Sequence, residues 1–361
     1  MAGSRRAAST RRVRLSSGAQ MRSRTTGDQA GIAVAAARVI ETIPPGAGAV
    51  VMGTGIVSID LFLSGARSLS LVPLLVATIA WALLGILLAG RLLWDRPRFQ
   101  REATLPAALT GVAGTAVLGT RLTLLGWGWA GAVMLGIAGL LWLALVGRVL
   151  RHWATPTVGV SFMVTVSTQS LTVLLAVLGS ADRAVWLVVL AVAPLTLGAG
   201  LYAVVVSRFD VRQLVRGSGD QWVAGGALAI SALACARVTE ASQTLHVLGD
   251  GAALRAATLV LWVAAMAWLP FLVVTELTAR RILYDTRRWA TVFPVGMYAA
   301  CGFLAASALG WGGLSYFAQV WSWVALAVWV VVLVAMLWQP IPLVRAAGSP
   351  LPRTGDEPAE G

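Results

Sequence analysis

The sequence predicts an all-α integral membrane protein with ten transmembrane helices. Of its 361 residues, 58% are hydrophobic and only 12% are charged, whereas a soluble globular domain carries about 25% charged residues. Apolar runs of about 20 residues, the length needed to cross a bilayer, recur along the chain. These runs are continuous rather than alternating, which favours helices over the strands of a barrel.

The ten apolar segments lie between a basic N-terminal tail and a polar C-terminal tail. The predicted spans are residues 46–65, 71–93, 104–123, 127–149, 157–179, 184–206, 222–246, 256–279, 291–312 and 316–338. We expect one transmembrane domain over residues 41–340. Residues 1–40 are predicted to be a disordered Arg-rich cytoplasmic tail, with Met21 as an alternative start, and residues 341–361 a second disordered tail.

The distribution of arginine predicts the orientation of the spans. Of the 28 basic residues, 23 lie in the two tails or in loops on one side of the membrane. Only Arg67, Arg121, Arg183 and Arg255 are assigned to loops on the other side, and Arg237 falls inside the seventh span. Because cytoplasmic loops are enriched in basic residues, we expect both termini to be cytoplasmic and the protein to lie in the cell membrane.

Small residues and tryptophan alternate between odd and even spans. Gly, Ser and Thr make up 37 of 110 residues in the odd spans and 15 of 116 in the even spans, while Trp occurs twice and eleven times, respectively. Small residues allow close helix approach, and Trp favours lipid-facing or interfacial positions. The pattern predicts a hairpin repeated five times, with the odd helices in an inner ring that leaves room for a lumen and the even helices in an outer ring. Irregular packing is the alternative.

Prolines support the same repeat, because Pro is well tolerated in the first turn of a helix. Pro45, Pro106, Pro156 and Pro294 all lie near the predicted cytoplasmic start of odd spans. The seventh span has no such proline, so the predicted repeat is imperfect.

Small and polar residues in the odd spans are candidates for the lining of an anion path. They are Gly53, Thr54, Gly55, Ser58, Thr165, Thr168, Gln169 and Gly296. Ser and Thr hydroxyls also bond to the carbonyl groups of their own helix. The same residues are therefore compatible with ordinary helix packing.

Three ionisable residues inside the spans are functional candidates by position. Asp60 and Glu240 are candidate proton carriers, and Arg237 is a candidate for attracting an anion. Each also has a structural interpretation. Asp60 could cap or pair with a neighbouring span, and Arg237 could form an ion pair with Glu240, three residues away on one helix face.

Motifs for catalysis or for cofactors are absent from the sequence. It has no P-loop, no HExxH and no Ser/His/Asp arrangement that we can support. His152 and His246 are far apart, and Cys235 and Cys301 lie in separate spans. We therefore expect no enzyme activity, no metal, no cofactor and no nucleic-acid partner.

Three motifs give the chain a family resemblance. MGTGIVS at residues 52–58, GVSFMVTVSTQS at 159–170 and VFPVGMYA at 292–299 resemble the tellurite-resistance/dicarboxylate transporter family. Its relatives include bacterial tellurite-resistance channels, fungal malate transporters and plant slow anion channels. The resemblance covers roughly residues 40–340. It implies ten helices as five helical hairpins in quasi-five-fold order around a central pore, with one pore in each protomer and assembly as a homotrimer.

The resemblance also assigns a role to the ninth span. In the family, a Phe beside a helix-kinking position blocks the pore, and here that position is Phe293 with Pro294. Arg288 lies only five residues before Phe293, about 7 Å along a helix. Two explanations are open: the helix begins earlier and Arg287 and Arg288 face a vestibule, or the constriction lies near the cytoplasmic end.

The resemblance implies a channel or transporter for small anions in a lipid bilayer. The expected substrates are C4-dicarboxylates such as malate, or small inorganic anions including tellurite and sulfite. A proton-coupled carrier of organic anions with alternating access is one alternative. A membrane scaffold without transport, or an intramembrane enzyme, is another.

Overall fold

The computed structural model describes residues 44–216, 219–249, 251–278 and 284–338. These residues form helices and turns, and no β-strand occurs among them. The all-helical prediction is therefore confirmed for this part of the chain. The two predicted tails, residues 1–40 and 341–361, lie outside the described residues.

Ten helices, here called α1 to α10, correspond one to one with the predicted segments. They are α1 Gly48–Leu63, α2 Arg67–Trp94, α3 Thr110–Leu124, α4 Gly128–Arg151, α5 Met163–Ala181, α6 Val185–Val206, α7 Trp222–Leu245, α8 Ala252–Thr278, α9 Trp289–Leu309 and α10 Gly312–Leu337. Nine of these described helices are long and apolar enough to cross a membrane. The exception is α1, which has only 16 residues.

Short 3-10 turns extend three of the odd-numbered helices at their N-terminal ends. Pro106–Leu109 precedes α3, Gly159–Phe162 precedes α5 and Thr286–Arg288 precedes α9. Pro106 is the first residue of its turn, where its missing N–H has no helical partner to lose. At the other end of α9, Gly310 has a φ of 67°, a left-handed conformation that ends helices readily in glycine.

Each odd-numbered helix packs against the even-numbered helix that follows it, giving the pairs α1–α2, α3–α4, α5–α6, α7–α8 and α9–α10. The odd-numbered helices also pack against one another: α1 against α3, α3 against α5, α5 against α7, α7 against α9 and α9 against α1. The buried core lies among these five helices, whereas the even-numbered helices carry many exposed apolar side chains.

Candidate functional site

Helix α9 is held on two sides by the helices that flank it in the core. Gly53 of α1 provides room for Val292, because a Cβ at Gly53 would lie 3.2 Å from Val292 Cγ1. Gly226 of α7 does the same for Pro294, where an added Cβ would lie 2.9 Å from the proline ring. Val292 therefore faces α1, and Pro294 faces α7.

Phe293 lies between these two positions and is fully buried, with 0% of its surface exposed. Successive residues of an α-helix are about 100° apart around its axis. Phe293 therefore points to the side of α9 enclosed by α1 and α7. The opposite side of α9 faces α10, whose Trp321 Nε1 donates to the Val295 carbonyl at 3.0 Å. Met297, one turn after Phe293, lies on the same enclosed face and is also buried.

The N-terminal end of α9 is fixed by an ion pair. Arg288 Nη1 lies 2.9 Å from Glu276 Oε1 on α8, and Trp222 Nε1 of α7 donates to Glu276 Oε2 at 3.1 Å. No pattern in the sequence predicts this ion pair. Helical structure begins at Thr286, ahead of α9 itself. This agrees with an earlier start of the helix, whereas a vestibule at Arg287 and Arg288 stays a prediction.

Tyr284 lies just before this end of α9. Its hydroxyl accepts a hydrogen bond from Trp289 Nε1 at 3.1 Å. Burial raises the pKa of the Tyr284 hydroxyl, and the neighbouring Asp285 carboxylate adds to the rise. Tyr284 is therefore neutral at physiological pH.

The candidate residues of α1 contact several neighbours. A Cβ at Gly55 would lie 2.8 Å from Val117 Cγ1 on α3, so Gly55 allows these helices to approach closely. Thr54 Oγ1 accepts a hydrogen bond from Trp329 Nε1 on α10 at 3.0 Å. Ser58 Oγ donates to the Ser70 carbonyl at 2.7 Å at the start of α2. The hydroxyls of Thr54 and Ser58 thus contact even-numbered helices.

Asp60 is the most unusual polar group of α1. Its side chain is fully buried, and neither carboxylate oxygen has a hydrogen-bond partner among the described residues. It lies against α9, because a Cβ at Gly296 would come within 2.9 Å of Asp60 Oδ2. An isolated buried carboxylate is costly in its charged form.

The three candidates of α5 are all buried. Thr168 Oγ1 accepts from Trp142 Nε1 of α4 at 2.9 Å, and Gln169 Nε2 donates to the Leu195 carbonyl of α6 at 3.1 Å. Both side chains therefore contact even-numbered helices. Thr165 Oγ1 has no hydrogen-bond partner in the described part of the chain. Lining roles for these residues remain predictions, and the contacts of Thr168 and Gln169 do not favour them.

The assignment of Arg121 to a loop is wrong. Arg121 lies instead in the last turn of α3, where it is fully buried. Its Nε lies 3.0 Å from Ser58 Oγ, and its Nη2 lies 2.8 Å from Ser70 Oγ. The guanidinium carbon is 4.4 Å from the centroid of the Phe62 ring. Among the described residues Arg121 has no carboxylate partner, and its Nη1 has no hydrogen bond.

Arg237 and Glu240 form the ion pair that was one interpretation of their spacing. Arg237 Nη1 lies 2.8 Å from Glu240 Oε2, and the two side chains are 12% and 44% exposed. The pair partly neutralises Arg237, which leaves Arg121 as the more isolated buried cation. No group of three or more His, Cys, Asp or Glu side chains suited to a metal ion occurs within the described ranges.

Tryptophans of the even-numbered helices form hydrogen bonds to the odd-numbered helices, a role that the sequence pattern did not predict. Their indole N–H groups donate to oxygen atoms of the odd-numbered helices: Trp81 to Thr115, Trp142 to Thr168, Trp321 to Val295 and Trp329 to Thr54. The alternation of Trp was interpreted only as a preference for lipid or interface. The sequence does carry a signal for this hydrogen bonding: Trp is enriched in the even spans, and the hydroxyl residues Ser and Thr are enriched in the odd spans.

Comparison with known protein families matches residues 42–337 to the SLAC1 family, described as voltage-dependent anion channels. The chain belongs to this family. The match confirms the resemblance seen in the three sequence motifs. It also agrees with a multi-pass membrane protein, since nine of the described helices are long and apolar enough to cross a membrane.

Two curated relatives are the uncharacterized membrane proteins MT1776 and Rv1735c from strains of Mycobacterium tuberculosis. Each is 31% identical to this chain over 121 residues, which are 32% of the chain and 61% of the relative. The chain thus spans about three fifths of the length of these relatives. Their names support a membrane protein and carry no further information about function.

Proposed function

We propose that this SLAC1-family protein conducts small anions along a path enclosed by α1, α3, α5, α7 and α9. One observation carries the proposal: each of these helices packs against two others of the set, so that the contacts form a closed cycle. Each even-numbered helix covers the outside of this cycle by packing against its own hairpin partner. Such an arrangement of five hairpins is expected to surround a central pore.

Phe293 is the proposed gate of this path. It is fully buried and lies on the face of α9 that α1 and α7 enclose. A hydrophobic constriction blocks ions by excluding water. Pro294 lacks an N–H and cannot complete the helical hydrogen bond at this point, which weakens α9 beside the gate. Gly226 leaves space next to Pro294, and we propose that α9 flexes there when Phe293 moves.

Two sets of charges favour anions over cations in this proposal. Arg121 places a positive charge without a carboxylate partner among the described residues near the C-terminal end of α3. Arginines on the proposed cytoplasmic side raise the local anion concentration at the other end of the path. Arg237 contributes less, because Glu240 lies 2.8 Å away.

The finer features of the proposal follow from the sequence and the family resemblance. Both termini are placed in the cytoplasm, the protein in the cell membrane, and the assembly as a homotrimer with one path in each protomer. The substrates are C4-dicarboxylates such as malate or small inorganic anions including tellurite and sulfite. Gly53, Gly55 and Gly296 support the path by allowing the inner helices to pack closely.

Anion flux in proteoliposomes tests the proposal. Purified wild type is compared with Phe293→Ala, with chloride, malate and sulfite supplied separately. We expect the Ala variant to conduct at least tenfold faster, because removal of the ring opens the constriction. The order of the three anions then identifies the preferred substrate class.

Phe303→Ala is the matched control, because it removes the same atoms from the same helix. Phe303 is partly exposed and lies ten residues, about 15 Å, along α9 from Phe293, so its loss should leave the flux unchanged. Equal anion flux in wild type and Phe293→Ala would contradict the role of Phe293 as a gate, while the proposal of anion transport would be unaffected. Absence of flux from all correctly folded proteins would favour a scaffold without transport.

A second candidate function is proton-coupled transport, and the isolated Asp60 carboxylate favours it. A buried carboxylate with no hydrogen-bond partner among the described residues is suited to hold a proton rather than a charge. This alternative predicts that flux requires a pH gradient and that Asp60→Asn abolishes it. Flux that persists without a gradient and survives Asp60→Asn would support a passive channel.

A further inference from the structure

A cavity of about 510 Å³ lies outside the proposed path, between the even-numbered helices α2 and α4. Its floor is formed by the N-terminal parts of α1 and α3, and the short helix Arg96–Glu102 closes one end. Most of its wall is apolar, including Leu84, Leu88, Ile137 and Leu141. We call this cavity the α2–α4 crevice.

Two glycines border open space in the α2–α4 crevice. A Cβ added at Gly85 of α2 or at Gly111 of α3 would meet no atom within 4 Å, although both residues line the crevice. The two helices that flank it are exposed, since only 17% of the apolar stretch of α2 and 22% of that of α4 are buried. The crevice therefore opens toward the lipid.

The length of the crevice matches one leaflet of a bilayer. Its lining residues on α2 run from Trp81 to Leu92, twelve residues that extend about 16 Å along a helix. On α4 they run from Ile137 to Arg148, a similar length. The hydrocarbon core of a membrane is about 30 Å thick, so the crevice extends from one interface to about the bilayer centre.

Charged residues are confined to one end of the crevice. Arg91 Nη1 lies 2.6 Å from Glu102 Oε2, and Arg98 Nε lies 2.9 Å from Glu102 Oε1. Arg148, which is exposed, lines the same end. The charged residues that line this mouth, Arg91, Arg148 and Glu102, give it a formal charge of +1, and Arg98 lies beside Glu102. The combination is an apolar groove one leaflet long with a cationic end at the interface.

We propose that the α2–α4 crevice binds one anionic phospholipid, with an acyl chain along the apolar wall and the headgroup phosphate at Arg148. Basic pockets between membrane helices bind anionic headgroups in this way. The N-terminal segment of this chain, residues 1–43, is a less suitable occupant, because it carries eight arginines and would face a positive mouth. The proposal is independent of the anion path.

Native mass spectrometry of the full-length protein tests this proposal. Phosphatidylglycerol and phosphatidylcholine with identical acyl chains are titrated separately onto delipidated protein. We expect phosphatidylglycerol to bind at least tenfold more tightly. Gly85→Trp, which fills the crevice, and Arg148→Glu, which reverses a charge at its mouth, should each reduce that binding at least tenfold.

Two control variants match these changes outside the crevice. Gly139→Trp adds the same ring to α4 at a position that is also open but does not line the crevice, and Arg151→Glu reverses a neighbouring charge. Neither should change lipid binding by more than about twofold. Arg148→Glu changes an exposed residue, so it keeps the test decisive even where Gly85→Trp fails to fold.

Three results would overturn the proposal. The first is equal binding of the two lipids, and the second is phosphatidylglycerol binding that neither Gly85→Trp nor Arg148→Glu reduces. The third comes from a photo-crosslinking side chain placed at Leu88, on the crevice wall. Labelling of residues 1–43 or of a second copy of the chain, instead of lipid, would show that protein fills the crevice.

Discussion

The odd-numbered helices are more buried than the even-numbered helices, yet they are less apolar. In α5 and α7, 94% of the apolar stretch is buried, against 17% in α2 and α8. Yet the buried helices hold most of the Gly, Ser and Thr, and the exposed helices are the more apolar. In water the more apolar face turns inward, whereas here lipid solvates apolar side chains and the polar groups are enclosed by protein.

The comparison also shows how the enclosed polar groups are satisfied. Several inner hydroxyls bond back to their own helix, as Thr115 Oγ1 does to the Gly111 carbonyl at 2.7 Å. The outer tryptophans then supply N–H donors, one of them to Thr115 itself at 2.9 Å. The outer helices are therefore more than a lipid-facing layer, because they fix the orientation of polar side chains on the inner helices.

The largest expected effect comes from a methyl group added where two inner helices meet. A Cβ at Gly48 of α1 would lie 2.6 Å from the backbone nitrogen of Gly111 on α3. Backbone atoms cannot move aside cheaply, so Gly48→Ala should lower the free energy of unfolding by about 3 kcal/mol or more. Denaturant unfolding in detergent micelles measures this change.

Gly139→Ala is the outer-helix counterpart of that substitution. An added Cβ there meets nothing within 4 Å, and Ala favours a helix over Gly by roughly 0.5–1 kcal/mol. The variant should be neutral or slightly stabilised. Equal free energies of unfolding for Gly48→Ala and Gly139→Ala would contradict the close approach of α1 and α3 at Gly48.

A smaller effect is expected from breaking one link between the two layers. Trp329→Phe removes the donor to Thr54, and Thr54→Val removes the acceptor. A double-mutant cycle should give a coupling of about 0.5–1.5 kcal/mol, the range for one hydrogen bond. Trp323→Phe on the same helix is the control, because Trp323 is 47% exposed. Coupling near zero would mean that the contact does not orient Thr54.

Much of the fold could be predicted from the sequence, because its signals are carried by whole segments. The ten apolar runs match the ten helices within a few residues at most ends. The largest shift at a helix start is six residues, from 104 to Thr110 in α3 and from 157 to Met163 in α5, where a 3-10 turn precedes each helix. The alternation of small residues and Trp predicts which helices are buried, since it repeats over five hairpins and does not depend on any single position.

The candidate site was harder to predict, because it depends on contacts between distant residues. Arg121 was assigned to a loop, and the serines that receive its hydrogen bonds are 63 and 51 residues away in sequence. Thr54 and Thr168 were selected for their polarity, and their partners are tryptophans on other helices. A helix periodicity predicts which residues share a face but not which neighbour that face meets.

The most direct test of the central claim is a measurement of whether water and anions reach the enclosed face of α9. Met297→Cys is introduced with Phe293→Ala, and the buried Cys235 and Cys301 are replaced by Ser. A negatively charged, membrane-impermeant thiol reagent is added during an anion-flux assay. Val320→Cys on the exposed surface of α10 serves as the control. We expect the reagent to stop anion flux through the Met297→Cys protein and to leave flux through the Val320→Cys control unchanged. Continued flux with an unreactive Met297→Cys would contradict it, because anions would then cross by another route.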